Sequence, residues 1–159
     1  MSAAVPRIRN SAKAIIMRDG AILLQRCIFD GDIVYLLPGG TQEYEEALAA
    51  TVRREVLEET GLRVAVGRLL WVREFIVRNH LPEESADGHV LECIFACQPE
   101  DGAEVAEATI PDTAQLDVQW VPIRELPGVT MWPQTVRRLL IEHNGDIAQL
   151  DTRYLGDCP

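Results

Sequence analysis

A chain of 159 residues, 47% apolar and 25% charged, has the size and make-up of one globular domain. Its net charge of −10, from 25 acidic against 15 basic residues, excludes duplex nucleic acid as a partner, because that affinity comes largely from Lys and Arg neutralising phosphates. No apolar run approaches the ~18 residues of a membrane span, and the N-terminus around Pro6, Arg7 and Arg9 lacks a signal-like apolar stretch, so a cytoplasmic protein is expected.

Residues 13–17 and 21–27 are apolar and bracket Asp19-Gly20, the dipeptide of a two-residue hairpin. Residues 34–37 form a short strand candidate, ended by Pro38-Gly39-Gly40, where the backbone must turn sharply or approach something closely. Residues 46–60 are rich in helix formers. Ala49, Val52 and Val56 recur there at helical spacing, and Gly61 sits where a helix C-terminal glycine belongs. Residues 62–77 read as strand with a break or bend. Residues 79–89, with Pro82 and Asp87-Gly88, read as a loop, 90–97 as a strand and 98–112 as a polar, acidic connection. A strand over 116–121 and a helix over 133–143, with Val136, Leu139 and Leu140 inward, complete the pattern. The tail from Asn144 carries no clear pattern, and the whole of residues 1–159 reads as a single domain. Cys27, Cys93, Cys97 and Cys158 include no C-x-x-C pair, so zinc spacing is absent and buried, reduced thiols are expected.

Glu55, Glu58 and Glu59 stand at i, i+3 and i+4, within an arc of roughly 100° on a helix. Like charges so spaced cost a few tenths of a kcal/mol per pair. They also lie toward the helix C-terminus, where the macrodipole disfavours anions. Either the face is simply solvated and the acidity keeps the protein soluble, or a cation offsets the cluster. Hard oxygen ligands select magnesium, manganese or calcium. Bound metal or local arginines would also let so acidic a protein take a small phosphorylated substrate.

Residues 40–62 run Gly40, five residues, Glu46, seven residues, then Arg54-Glu55-Val56-Leu57-Glu58-Glu59-Thr60-Gly61-Leu62. This pattern is similar to the Nudix box, G-x5-E-x7-R-E-U-x-E-E-x-G-U with U apolar, at every specified position. A chance match at a given start is on the order of one in a billion from average residue frequencies. The chain thus resembles the Nudix (MutT-like) hydrolases. The resemblance implies an α/β fold, an α/β/α sandwich with a mixed β-sheet. It implies hydrolysis of a nucleoside diphosphate linked to another group X, with magnesium or manganese as cofactor. Glu55, Glu58 and Glu59 match the metal-binding glutamates, and the carbonyl of Gly39 matches a backbone ligand. Arg54 matches the arginine that orients the glutamates, and Glu46 a structural partner behind them. Glu55, Glu58 and Arg54 are the catalytic candidates. Metal would neutralise phosphate oxygens and acidify water, and a carboxylate within reach would take the proton. That base is one of the box glutamates or a later carboxylate, for which Glu92, Glu104, Glu107 and Asp112 are candidates.

Two positions depart from common family usage. Glu45 stands where many members have glycine, and a left-handed residue there costs about 1–2 kcal/mol. Ala47 replaces the usual Ser or Thr, which removes a helix N-cap. Arg78 stands where many ADP-ribose hydrolases carry proline, and the signatures of diadenosine polyphosphate and coenzyme A hydrolases are absent. Arg73 and Arg78 are candidate substrate contacts or exposed strand-end arginines. Trp71, Phe75 and Trp132 either stack on a base or pack the core. His80 and His89 either line the site or sit on the surface. Two rival functions are a catalytically inactive Nudix-like sensor, which has no reason to keep all three glutamates, and an isoprenoid diphosphate isomerase, which would want a reactive cysteine. A homodimer is compatible with the resemblance.

Overall fold

The structure, a computed structural model, describes residues 6–81 and 88–159. Two Asp-Gly dipeptides set one part of the sheet. Asp19-Gly20 adopts φ of 50° and 74°, the two left-handed residues that suit a tight hairpin turn. It joins β1 (Arg9–Arg18) to β2 (Ala21–Phe29), with Arg18 opposite Ala21. Asp30-Gly31, with φ of 50° and 90°, repeats the device and joins β2 to β3 (Asp32–Leu36). The strand expected over 34–37 therefore begins two residues earlier.

After Pro38 the chain forms β4 (Gly39–Thr41) and then α1 (Leu48–Thr60), β5 (Val64–Ile76) and a single turn α2 (Val77–His80). The remaining elements are β6 (His89–Pro99), β7 (Gln115–Pro122), β8 (Met131–Trp132), α3 (Gln134–Glu142) and β9 (Arg153–Asp157). The strands lie in the order β8-β3-β2-β1-β6-β5-β9, with β4 beside β1 and β7 beside β2. β1 runs parallel to β6, β3 to β8 and β5 to β9, while the other pairs are antiparallel. The expected mixed sheet is thus present. The expected break in the 62–77 strand is a pair of register shifts between Val66 and Trp71.

Side-chain alternation on β1 sorts the two layers. Ala12, Ala14 and Ile16 pack with Val52 and Val56 of α1. Ile15 joins Trp71, Ile94 and, from α3, Val136, Leu139 and Leu140. Helices therefore cover both faces, giving the α/β/α sandwich. Burying a valine contributes roughly 1.5–3 kcal/mol, more than the few tenths lost per glutamate pair on the opposite side. The acidic helix forms because of its other face.

Two segments differ from the expected pattern. The loop expected over 79–89 starts later, because Asn79 and His80 belong to α2; Pro82 and Asp87 lie outside the described residues. The unpatterned tail ends in β9. Its Asp157 accepts the Ile76 N–H at 3.0 Å and the Asn79 amide at 2.7 Å, and it pairs with His80 at 2.7 Å. These partners hold the Asp157 carboxyl down at about 2. Among the described residues, no helix is long and apolar enough to cross a membrane.

Candidate active site

The site begins with two glycines that let three elements close on one another. Gly39 has φ of 132°, and a Cβ there would sit 2.2 Å from the Ala12 carbonyl oxygen of β1. Gly40 faces the other way, and a Cβ there would lie 2.5 Å from the carboxyl carbon of Glu55. The Glu55 carboxylate rests against this bare backbone. The box glycine is needed to make that room.

Arg54 organises the acids. Its Nε and Nη2 donate to the two oxygens of Glu46 at 2.8 and 3.0 Å, a bidentate fork. Nη1 donates to Glu55 at 2.8 Å and to Glu58 at 3.4 Å, and Nη2 also reaches the Thr41 carbonyl at 3.2 Å. Glu46 further accepts from the Thr51 hydroxyl at 2.8 Å and the Glu43 N–H at 3.1 Å. The fork, foremost, holds the Glu46 carboxyl down at about 2, and the same pairing raises Arg54 above its ordinary value. Arg54 thus touches Glu46, Glu55 and Glu58 at once. Glu45 takes the left-handed φ of 63°, and Ala47 caps α1 without a side-chain bond.

Glu59 is the buried member of the set, only 5% exposed. Its Oε2 accepts the Gly39 N–H at 2.8 Å. Burial pushes its carboxyl up to about 7, against the pull of Lys13 and the Gly39 bond. Lys13 was not among the expected site residues. Its Nζ donates to the Gly39 carbonyl at 2.6 Å. The available signal was a lysine inside an apolar strand.

The Glu59 shift has a stability consequence. An unfolded glutamate titrates near ~4.3. Between that value and about 7 the folded, metal-free protein binds the extra proton, so stability is highest at the acid end of this window and falls as pH rises through it, by about 4 kcal/mol. Thermal melts in chelator from pH 5 to 8 are expected to show this decline for the wild type and a flatter profile for Glu59→Gln. Parallel profiles would contradict it.

The loop after β6 docks on the C-terminal end of α1. The N–H groups of Thr109 and Ile110 donate to the Glu58 carbonyl at 2.9 and 3.1 Å, and the Gln115 amide to the Glu59 carbonyl at 2.8 Å. Asp112 is thereby carried into the same cleft as Gly39, Glu55, Glu58 and Glu59. The cleft measures about 610 Å³. Its floor follows the strand register. Lys13 comes first, then Ser11 beside Glu92 and Arg73, then Arg9 beside Val90 and Phe75. Each row lies two residues, ~6.6 Å, beyond the last. Apolar Ile110 and Pro111 line the cleft as well.

Of the later carboxylates, Glu92 and Asp112 line the cleft. Glu104 instead pairs with Arg18 at 2.9 Å, and Glu107 is exposed outside it. Arg73 lines the cleft but is buried, donating to Glu92 at 2.8 Å and the Cys158 carbonyl at 2.6 Å. Arg78 is exposed on α2 and is not among the residues that line the cleft. Trp71 is a core residue, Phe75 stacks on His80 with ring centroids 5.1 Å apart, and His89 pairs with Glu74 at 3.3 Å. Cys27, Cys93 and Cys97 are buried free thiols, and burial raises Cys27 to about 11 and Cys97 to about 12, so neither supplies a thiolate nucleophile near neutral pH.

The donor set suits a hard divalent ion: carboxylates and a backbone carbonyl on one cleft, without thiolate or imidazole. Among the described residues, no three acidic, His or Cys side chains converge as metal ligands. Glu55 and Glu58 are turned to Arg54, and the Gly39 carbonyl to Lys13.

A mixed sheet between helices, with an acidic helix walling a cleft, defines the Nudix fold. The structure superposes on a NUDIX hydrolase from Nitrosomonas europaea with a TM-score of 0.71 at 20% identity, covering 91% of this chain and 93% of that one. An ADP-ribose pyrophosphatase from Streptococcus suis gives 0.66 at 19% identity, covering 93% and 99%. The model of the NUDIX domain matches residues 7–141, and the chain belongs to that family. A MutT-like protein of Streptomyces ambofaciens is 33% identical over 93 residues, 58% of this chain, and a Mycobacterium tuberculosis relative is 32% identical over 113 residues, 68% of it. The chain spans about half or less of these two curated relatives, 53% and 40% of their lengths.

Proposed function

We propose that the protein is a divalent-metal-dependent pyrophosphohydrolase that cleaves a nucleoside diphosphate linked to a further group X by attack of water on phosphorus. The observation that carries this reading is that Glu55, Glu58, Glu59, Gly39 and Asp112 all line one cleft, with Arg54 holding two of those carboxylates in place. Magnesium or manganese, when bound, supplies positive charge against the phosphate oxygens and acidifies water. Glu55, Glu58, Glu59 and the Gly39 carbonyl would hold it.

The chain's own residues do the rest. Arg54, fixed by Glu46, keeps Glu55 and Glu58 from splaying. A carboxylate of this set accepts the proton of the attacking water. Of the two carboxylates that Arg54 holds, Glu58 is the freer to do so, at 3.4 Å against 2.8 Å for Glu55. The diphosphate lies at the Lys13 end. The nucleoside or X reaches along β1 toward Arg9, Val90 and Phe75, ~13 Å away by strand rise. Arg73 faces this path from the middle row.

The test is a substrate panel with magnesium: nucleoside triphosphates, ADP-ribose, nucleotide sugars and dinucleoside polyphosphates. Turnover of at least one diphosphate compound, abolished by chelator and restored by magnesium or manganese, is expected. Absence of turnover across the panel would favour a nucleotide-binding sensor instead.

A further inference from the structure

The Lys13 side chain runs across Gly39 so closely that a Cβ on Gly39 would meet its Cδ at 2.9 Å. Its ammonium donates to the Gly39 carbonyl at 2.6 Å. Glu59 lies over the same residue, accepting the Gly39 N–H at 2.8 Å, and its carboxylate form is favoured by the nearby Lys13 charge. The carbonyl assigned to the divalent ion is thus already bound by a cation of the chain, beside one of the assigned carboxylates. Two cations a few ångströms apart in a partly desolvated corner repel strongly. The two basic residues at this end of the site differ in freedom. Arg54 is pinned by its fork to Glu46, whereas a lysine is a point charge on a flexible stem.

Resting on the metal-dependent reading above, we infer that Lys13 is a displaceable resident cation: it occupies the Gly39–Glu59 corner before metal arrives, competes with the ion for it, and once displaced turns its ammonium along the cleft floor onto the substrate's diphosphate. The next side chain on that face is the small Ser11, which leaves the floor open in that direction. Lys13 acts in this scheme as a substrate-positioning residue and as a brake on metal binding.

The two halves make opposite demands on one variant. Lys13→Met keeps the length of the stem and removes the charge. Mn2+ binding to the full chain without substrate, read from the electron paramagnetic resonance of the free ion, is expected to be about tenfold tighter for Lys13→Met than for wild type. Binding of methylenediphosphonate to the magnesium-loaded protein, read by calorimetry, is expected to be about tenfold weaker. Lys13→Arg is expected to restore both toward wild type. Unchanged or weaker Mn2+ binding by Lys13→Met overturns the resident-cation role, and unchanged diphosphonate binding overturns the positioning role. Should Lys13→Met fail to give a cooperative melt, Lys13→Gln is read by the same two measurements. Failure of every form, wild type included, to bind Mn2+ overturns the metal reading and the inference with it. Tight binding alike in wild type and variant removes only the part assigned to Lys13.

Discussion

Glu58→Gln is expected to lower kcat about 10³-fold, the range for loss of a positioned base or metal carboxylate, while leaving the protein folded. The geometry separates the two effects. Of the carboxylates that Arg54 donates hydrogen bonds to, Glu58 is the most distant, at 3.4 Å, while Glu46 and Glu55 are held at 2.8 Å. Losing the Glu58 charge therefore costs the network little and relieves repulsion with Glu55. The melting temperature without metal should stay level or rise slightly. Steady-state kinetics on the best panel substrate, with a thermal melt of the same preparation, make the check. Activity within threefold of wild type would remove Glu58 from the chemistry.

Arg54→Lys should do the reverse, damaging stability and activity together. A lysine cannot reproduce the fork to Glu46 while also reaching Glu55 and the Thr41 carbonyl. Breaking a buried ion pair costs ~3–5 kcal/mol. Arg54 is about a quarter exposed, so a loss of about 2–3 kcal/mol is expected. Release of Glu55 and Glu58 from their positions should lower kcat a further ~10²-fold, the scale of a displacement near one ångström. Urea unfolding and kcat, measured side by side, test this. A variant with normal urea stability would show that the network is ornamental to the fold.

The site's acids were readable in the sequence because the geometry of a helix turns spacing directly into a face. Glu55, Glu58 and Glu59 needed no tertiary information to be grouped, and the pattern from Gly40 to Leu62 supplied the orienting arginine and Glu46. The residues that escaped reading depend on neighbours far along the chain. Lys13 becomes a site residue only because β4 pairs with β1 and brings Gly39 opposite it. Among the three candidate loop carboxylates, Asp112 differs from Glu104 and Glu107 through backbone bonds to the end of α1, which no local pattern records. The final strand was hidden for another reason. Arg153–Asp157 has no buried alternation, and Asp157 helps hold it in place through polar bonds to Ile76, Asn79 and His80. The second hairpin is different again: Asp30-Gly31 carried the same turn signal as Asp19-Gly20 and gave the strand its true start.

A helix leaves its last carbonyls without partners. In α1 two of those groups, on Glu58 and Glu59, suspend the segment that carries Asp112. The reach of Asp112 into the cleft is therefore metered by chain length between Thr109 and Gln115. Homologous chains sharing this arrangement should hold that interval nearly constant in length. They are free to grow or shrink at the exposed Asp101-Gly102 turn, where space around Gly102 is open, so that turn is the place to insert a tag or a reporter domain.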